Sequence, residues 1–253
     1  MISVAHVKQL FIYCQAMLAK HGGPDGPAGH EFYRGKGPRI WENQRPVGCD
    51  RHAQVFMRFN IIPNYCFSCY KVLIEPKNVL ELFKLMMVLE KLELPNDNSR
   101  KCMVETREIA SGYYKGFIYC RSIDEGNEVL DLLRKVISRE ITENMQLTLK
   151  RGCSEYALSY PEFPKVGKDS ATMEYKEEWQ ECEDIFDKEY VARMHCSEGG
   201  TFNRPNYTLQ DANVMLQWIK YAATNGDMSY LAITGHVIPP SEDMMRPTPF
   251  SAL

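Results

Sequence analysis

Two sets of residues in this chain carry side chains suited to chemistry. The first is Cys49 and His52, three positions apart, followed by Cys66 and Cys69, again three positions apart. Two close pairs joined by a longer segment are how a chain delivers sulfur and imidazole ligands to a tetrahedral zinc ion. Zinc is the cofactor this spacing suggests, with Cys49, His52, Cys66 and Cys69 as its metal ligands. Three other readings stay open. Cys66 and Cys69 suit a redox pair, or an iron–sulfur ligand set that draws in Cys102 or Cys120. The thiols also suit plain core packing, because Cys is among the most buried residue types.

The second set is Lys101, Arg107, Lys115, Phe117, Tyr119 and Lys150. Aromatic faces stack bases, and Lys and Arg neutralise phosphates. Arg34 and Lys36, in a stretch rich in Gly and Pro, are further candidate anion contacts. That stretch is not a phosphate-binding loop of the usual spacing. The run from Gly29 to Gly35-Lys36 is one residue too long, and Gly37 stands where Ser or Thr is needed. His195 and Cys196 are adjacent, and neighbours in sequence rarely face each other, so they are not a catalytic pair. The sequence supports no catalytic triad, and the balance of features favours a binding protein over an enzyme.

The elements that position these residues follow from periodicity. Strand-like runs cover 69–75, 101–107, 113–121 and 145–150. Between the first two, 78–94 places Val79, Leu82, Phe83 and Met86 at helical spacing; between the last two, 124–141 does the same with Val129, Leu132, Leu133 and Val136. The fold class expected is α+β, a ferredoxin-like βαββαβ unit: a four-stranded antiparallel sheet, order 4-1-3-2, with both helices on one face. Side chains alternate across a strand. Val72, Ile74, Cys102, Val104, Gly116, Ile118, Cys120, Leu147 and Leu149 then face the helices. Lys71, Leu73, Lys101, Met103, Lys115, Phe117, Tyr119 and Lys150 face the other way, onto a side that the two helices leave bare.

Lys115-Gly116-Phe117-Ile118-Tyr119 resembles the start of the RNP1 motif of RNA-recognition-motif domains, and it falls on the third strand as in that family. The resemblance covers these five residues and the element order. Ile118 and Cys120 depart from the motif, and Lys71 and Leu73 occupy the first-strand positions where that family carries an aromatic. What the resemblance implies is a single-stranded nucleic acid laid across the bare face.

At 253 residues the chain is long enough to bury a sizeable core, and its 44% hydrophobic and 25% charged content is ordinary for a globular protein. A net charge of -3 argues against binding nucleic acid by bulk charge alone, though not against a local basic face. No apolar run reaches membrane-spanning length. The nine cysteines are an odd number, and residues 1–20 read as an amphipathic helix rather than a secretion signal. A reducing, cytoplasmic setting is the expectation.

Three regions are expected: 1–64, a helix and a Gly/Pro-rich loop; 65–160, the sheet unit; and 170–253, a C-terminal helical extension packed on it. Within the extension, 174–194 and 209–223 read as helices, the second capped by Asn206 or Thr208. The function expected is non-enzymatic binding of a nucleic acid or nucleotide-like anion on the bare sheet face. The alternatives are a cysteine-centred metal or redox enzyme acting on an anionic substrate, and a scaffold that docks a protein partner on the same face.

Overall fold

Alternation builds the sheet and 3.6-residue periodicity builds its cover. The computed structural model describes residues 1–21, 39–42, 48–107, 110–167, 173–190 and 207–241. Arg34 and Lys36 lie outside these residues, as does the end of the helix expected over 174–194. The strands are β1 (Arg39–Glu42), β2 (Tyr70–Glu75), β3 (Arg100–Val104), β4 (Tyr114–Cys120) and β5 (Gln146–Arg151). They form one open sheet in the order β1-β3-β4-β2-β5, with every neighbouring pair antiparallel. The order expected for four strands is that of β5, β2, β4 and β3.

The fifth strand corrects the sequence reading, which assigned residues 39–42 to a loop. Arg39-Ile40-Trp41-Glu42 alternates, and Ile40 buries itself on the helix side. The strand adds to the free edge of β3 in register, with Trp41 opposite Lys101 and Arg39 opposite Met103. A Gly/Pro-rich segment that cannot supply a central strand can still supply a four-residue edge strand.

Among the described residues the helices are α1 (Val4–Lys20), α2 (Cys49–Phe59), α3 (Val79–Lys91), α4 (Ile123–Glu140), α5 (Trp179–Glu189), α6 (Leu209–Thr224) and α7 (Leu231–Thr234). Several start at residues that cap them. Asn78, Ser122 and Thr208 each accept a hydrogen bond from the backbone N–H three residues on, meeting one orphan donor of the first turn. α3 and α4 lie on one side of the sheet over Val72, Ile74, Cys102, Val104 and Ile118. α6 packs on this same helical side, against α1 and α3, where Trp218 meets Phe83 edge to face at 5.6 Å. The second helix of the C-terminal extension therefore thickens the helical layer and does not cover the opposite face.

α2 is a second correction, because the only helix expected within residues 1–64 was the one over 1–20. Its polar start hid the stripe His52, Val55, Phe56 and Phe59, which packs into a smaller core with Ile62, Cys66, Tyr156, Phe163, Trp179 and Phe186. Arg51 ties α2 to α5 through Glu183 at 2.6 Å and Asp187 at 2.7 Å. This core sits beside the start of β2 and the end of β5. Gly152 N–H donates to the Cys69 carbonyl at 2.7 Å, so the ladder continues into the turn that carries Cys153. No helix among the described residues is long and apolar enough to cross a membrane.

Candidate anion site on the sheet

Register fixes which side chains meet on the face away from α3 and α4. Lys71 stands directly opposite Tyr119 on one side and Lys150 on the other; Lys101 stands opposite Trp41 and Phe117. Like charges directly opposite on one face repel, so the Lys71–Lys150 pair calls for a counter-charge. Around them the aromatic rings make walls. Trp41 stacks on Tyr119. Lys101 Nζ lies 4.9 Å from the Trp41 ring centre, 5.0 Å from Phe117 and 5.8 Å from Tyr119. Lys71 Nζ lies 5.1 Å from the Tyr119 ring centre.

Charge on this face is unevenly compensated. Lys115 pairs with Glu75 at 2.5 Å, and Arg107 is held by both Glu105 and Glu155. Among the described residues the other four cations, Arg39, Lys71, Lys101 and Lys150, form no ion pair with a carboxylate. Lys150 Nζ donates to Ser154 Oγ at 2.7 Å, and Lys71 Nζ donates to Cys153 Sγ at 3.2 Å.

The electrostatic consequences are large. Burial, with Lys71 and Arg39 alongside, pushes the Lys101 ammonium down to about 7. Burial and Lys71 push Lys150 down to about 8. Burial also lowers Arg39. Burial works against charge on Cys153 and Lys71 as well, but there mutual attraction wins: Cys153 is lowered and Lys71 raised. The contact thus favours the ammonium form of Lys71 and the thiolate form of Cys153.

Of the six sheet residues singled out from sequence, Lys101, Tyr119 and Lys150 belong to this basin. Phe117 lies against it but is only 6% exposed, and Lys115 is 3% exposed. Arg107 is committed to its two carboxylates. Sequence reasoning placed Arg39 and Trp41 among the cations and rings of the Gly/Pro-rich loop and missed the strand that brings them here, whose only signal was a four-residue alternation. It also missed Cys153, which no motif marks. Lys71 was placed on the correct face, but its partners depend on the strand order.

The structure does not gather the expected zinc ligands. Among the described residues no three His, Cys, Asp or Glu side chains stand close enough to hold an ion. Cys66 turns into the smaller core, with Sγ 3.2 Å from Tyr156 Oη, and burial pushes its thiol up to about 12. His52 is buried too and stacks on Tyr65 at 5.1 Å. Cys49 is exposed at the start of α2, and Cys69 is half-buried beside β2. The spacing is that of a ligand set, but α2 turns its apolar stripe, His52 included, into packing. The redox reading of Cys66 and Cys69 meets the same obstacle, since burial raises both thiols.

No family model matches this chain, and neither a curated protein nor a solved structure matches it. The basin has to be read from its own chemistry.

Proposed function

We propose that the protein binds a compact anion of nucleotide type in the basin formed by Arg39, Trp41, Lys71, Lys101, Tyr119 and Lys150. The observation that carries this reading is the set of four cations without a carboxylate partner among the described residues, set among aromatic rings. Phosphate or carboxylate oxygens would supply a counter-charge to Arg39, Lys101 and Lys150, and a flat ring would find Trp41 and Tyr119 beside it. We further read β2 to β5 with α3 and α4 as a ferredoxin-like βαββαβ unit, extended at one edge by β1.

The same face favours a compact ligand over an extended single strand of nucleic acid. Stacking platforms present their rings to solvent, whereas Phe117 is buried, and Lys115 and Arg107 already have partners. No disulfide joins the eight described cysteines to one another, which favours a reducing compartment.

Calorimetric titration with ATP, AMP, inorganic pyrophosphate and a single-stranded RNA oligomer tests this reading. Binding of the nucleotides or pyrophosphate, weakened by salt, is the expected result. Binding of RNA alone would return the assignment to an extended strand, and binding of none of them retires the anion reading.

A further inference from the structure

Lys71 is 5% exposed, and its described polar contact is Cys153 Sγ at 3.2 Å. A buried ammonium needs a counter-charge. A neutral thiol is not one; a thiolate is. Lys150, opposite Lys71 on β5, adds a second cation to the same neighbourhood. Glu155, a carboxylate whose field reaches both Lys71 and Cys153, is engaged by Arg107 and so competes less for Lys71. Other described thiols sit in different surroundings. Cys14, Cys66 and Cys120 lie in the packed interior, where burial pushes each up to about 12. Cys153 is half-buried and stands at the Lys71 end of the basin.

We propose that Cys153 is a nucleophilic thiolate that accepts an electrophilic carbon from an anionic ligand held among Lys71, Lys101 and Lys150. The choice of ligand rests on the anion-binding reading; the thiolate itself does not. In the step, the Cys153 sulfur attacks carbon. An S–C bond forms, the bond from that carbon to its leaving group breaks, and the leaving group departs as an anion with the bonding pair. Because sulfur starts as the thiolate, no proton and no oxidant or reductant is needed. Lys71 loses its thiolate partner as the departing anion, of phosphate or carboxylate class, appears beside it. Reactive thiols elsewhere sit in this kind of electropositive, partly accessible setting.

The charged and titratable groups facing Cys153 come from every strand of the unit and from its own turn. Lys71 faces it from β2, Cys69 from the residue before that strand, and Lys150 from β5, while Cys49 at the start of α2 acts on the same Lys71 and Cys69. Lys101 on β3 and Tyr119 on β4 lie further along the basin. Glu155 and Tyr156 follow it in the turn, with Cys66 behind.

Alkylation of the full chain, mapped by peptide mass spectrometry between about pH 6 and about pH 9, tests the proposal. With iodoacetamide near neutral pH, Cys153 is expected to react about tenfold faster than Cys182, at a rate that falls off only at a pH below that of an ordinary thiol. Iodoacetate, an anion, is expected to lose none of this advantage, and pyrophosphate is expected to protect. Lys71→Met should remove the rate advantage and Lys71→Arg should keep most of it, with Cys153→Ser as the blank. Should Lys71→Met fail to fold, the pH profile of the parent and the Lys71→Arg variant decide the matter. Labelling of Cys153 no faster than Cys182 overturns the thiolate. Fast labelling with neither anion preference nor protection overturns the anionic ligand and the anion-binding reading, and leaves the thiolate standing.

Discussion

Trp41 of β1 stacks on Tyr119 of β4 across the intervening β3, with ring centres 5.5 Å apart and planes 26° from parallel. An edge strand thus furnishes one wall of the basin, and the Lys101 ammonium sits against both rings. Trp41→Ala is expected to weaken nucleotide binding by about 1–2 kcal/mol, from the lost stacking and cation–π contacts. The melting temperature should move little, because β1 pairs on one side only. Calorimetric titration beside a thermal melt checks both halves.

Anion affinity should depend on pH through the two lysines. Lys101 titrates at about 7 and Lys150 at about 8 in the free protein. An anion favours their charged forms. Affinity is therefore full below about pH 7 and falls as pH rises through about 7 and then about 8. Lys101→Met should remove the first of these steps. A pyrophosphate affinity that stays flat across this range contradicts the assignment.

His52 gives an opposite dependence, in stability. Burial, and then Arg51, push it from 6.5 down to about 4. The unfolded chain thus takes up a proton at a pH where the folded chain does not. The full stability is present above about pH 6.5 and drains away as pH falls from there toward about 4, by on the order of 3 kcal/mol. His52→Phe keeps an aromatic ring against Tyr65 and should flatten this dependence. Denaturant melts of both proteins at about pH 5 and about pH 7 would show it.

Gly152 has φ +62, and a Cβ placed there would lie 2.3 Å from Phe163 Cε1. Gly152→Ala therefore combines a left-handed backbone with an overlap against a buried ring. It should cost about 3 kcal/mol of stability. Because Gly152 immediately precedes Cys153, the same variant should slow alkylation of that thiol even under conditions where the protein remains folded.

Asp227 Oδ2 accepts from Tyr114 Oη and from the Val79 backbone N–H, each at 2.6 Å. One carboxylate thereby fastens the turn after α6 to β4 and to the start of α3. Asp227→Ala leaves both donors without this acceptor and should cost about 2–3 kcal/mol, against about 1 kcal/mol for Tyr114→Phe. Chemical denaturation of the two variants gives the comparison.

Much of the sheet was legible because its alternation is clean. The inward positions of β2, β3 and β4 were assigned correctly, and Thr208 does cap α6. β1 was not legible, because four residues between Gly and Pro carry too little pattern, and its pairing depends on an edge that exists only in the fold. α2 was hidden by the polar Asp50-Arg51-His52 start, whose Arg51 charge is satisfied by α5 more than a hundred residues later. The basin was half legible. Lys101, Tyr119 and Lys150 follow from alternation. The Lys71–Lys150 opposition needs the strand order, and the Lys71–Cys153 contact needs the turn after β5. The zinc spacing misled because spacing says nothing of direction: Cys66 and His52 turn into packing.

The meeting of α1 with α6 bears on how the chain acquires its shape. Cys14 and Met215 touch, sulfur to sulfur at 3.7 Å, although 201 positions separate them. Growing from a ribosome, the first helix emerges long before its partner does, and its apolar stripe of Val7, Phe11, Cys14 and Leu18 stays wet in the meantime. Closure over so long a separation is slow, and it comes after the more local β2–α3–β3 and β4–α4–β5 units have had time to form. During synthesis α1 thus keeps a sticky face, exposed to chaperones and to other nascent chains until α6 arrives.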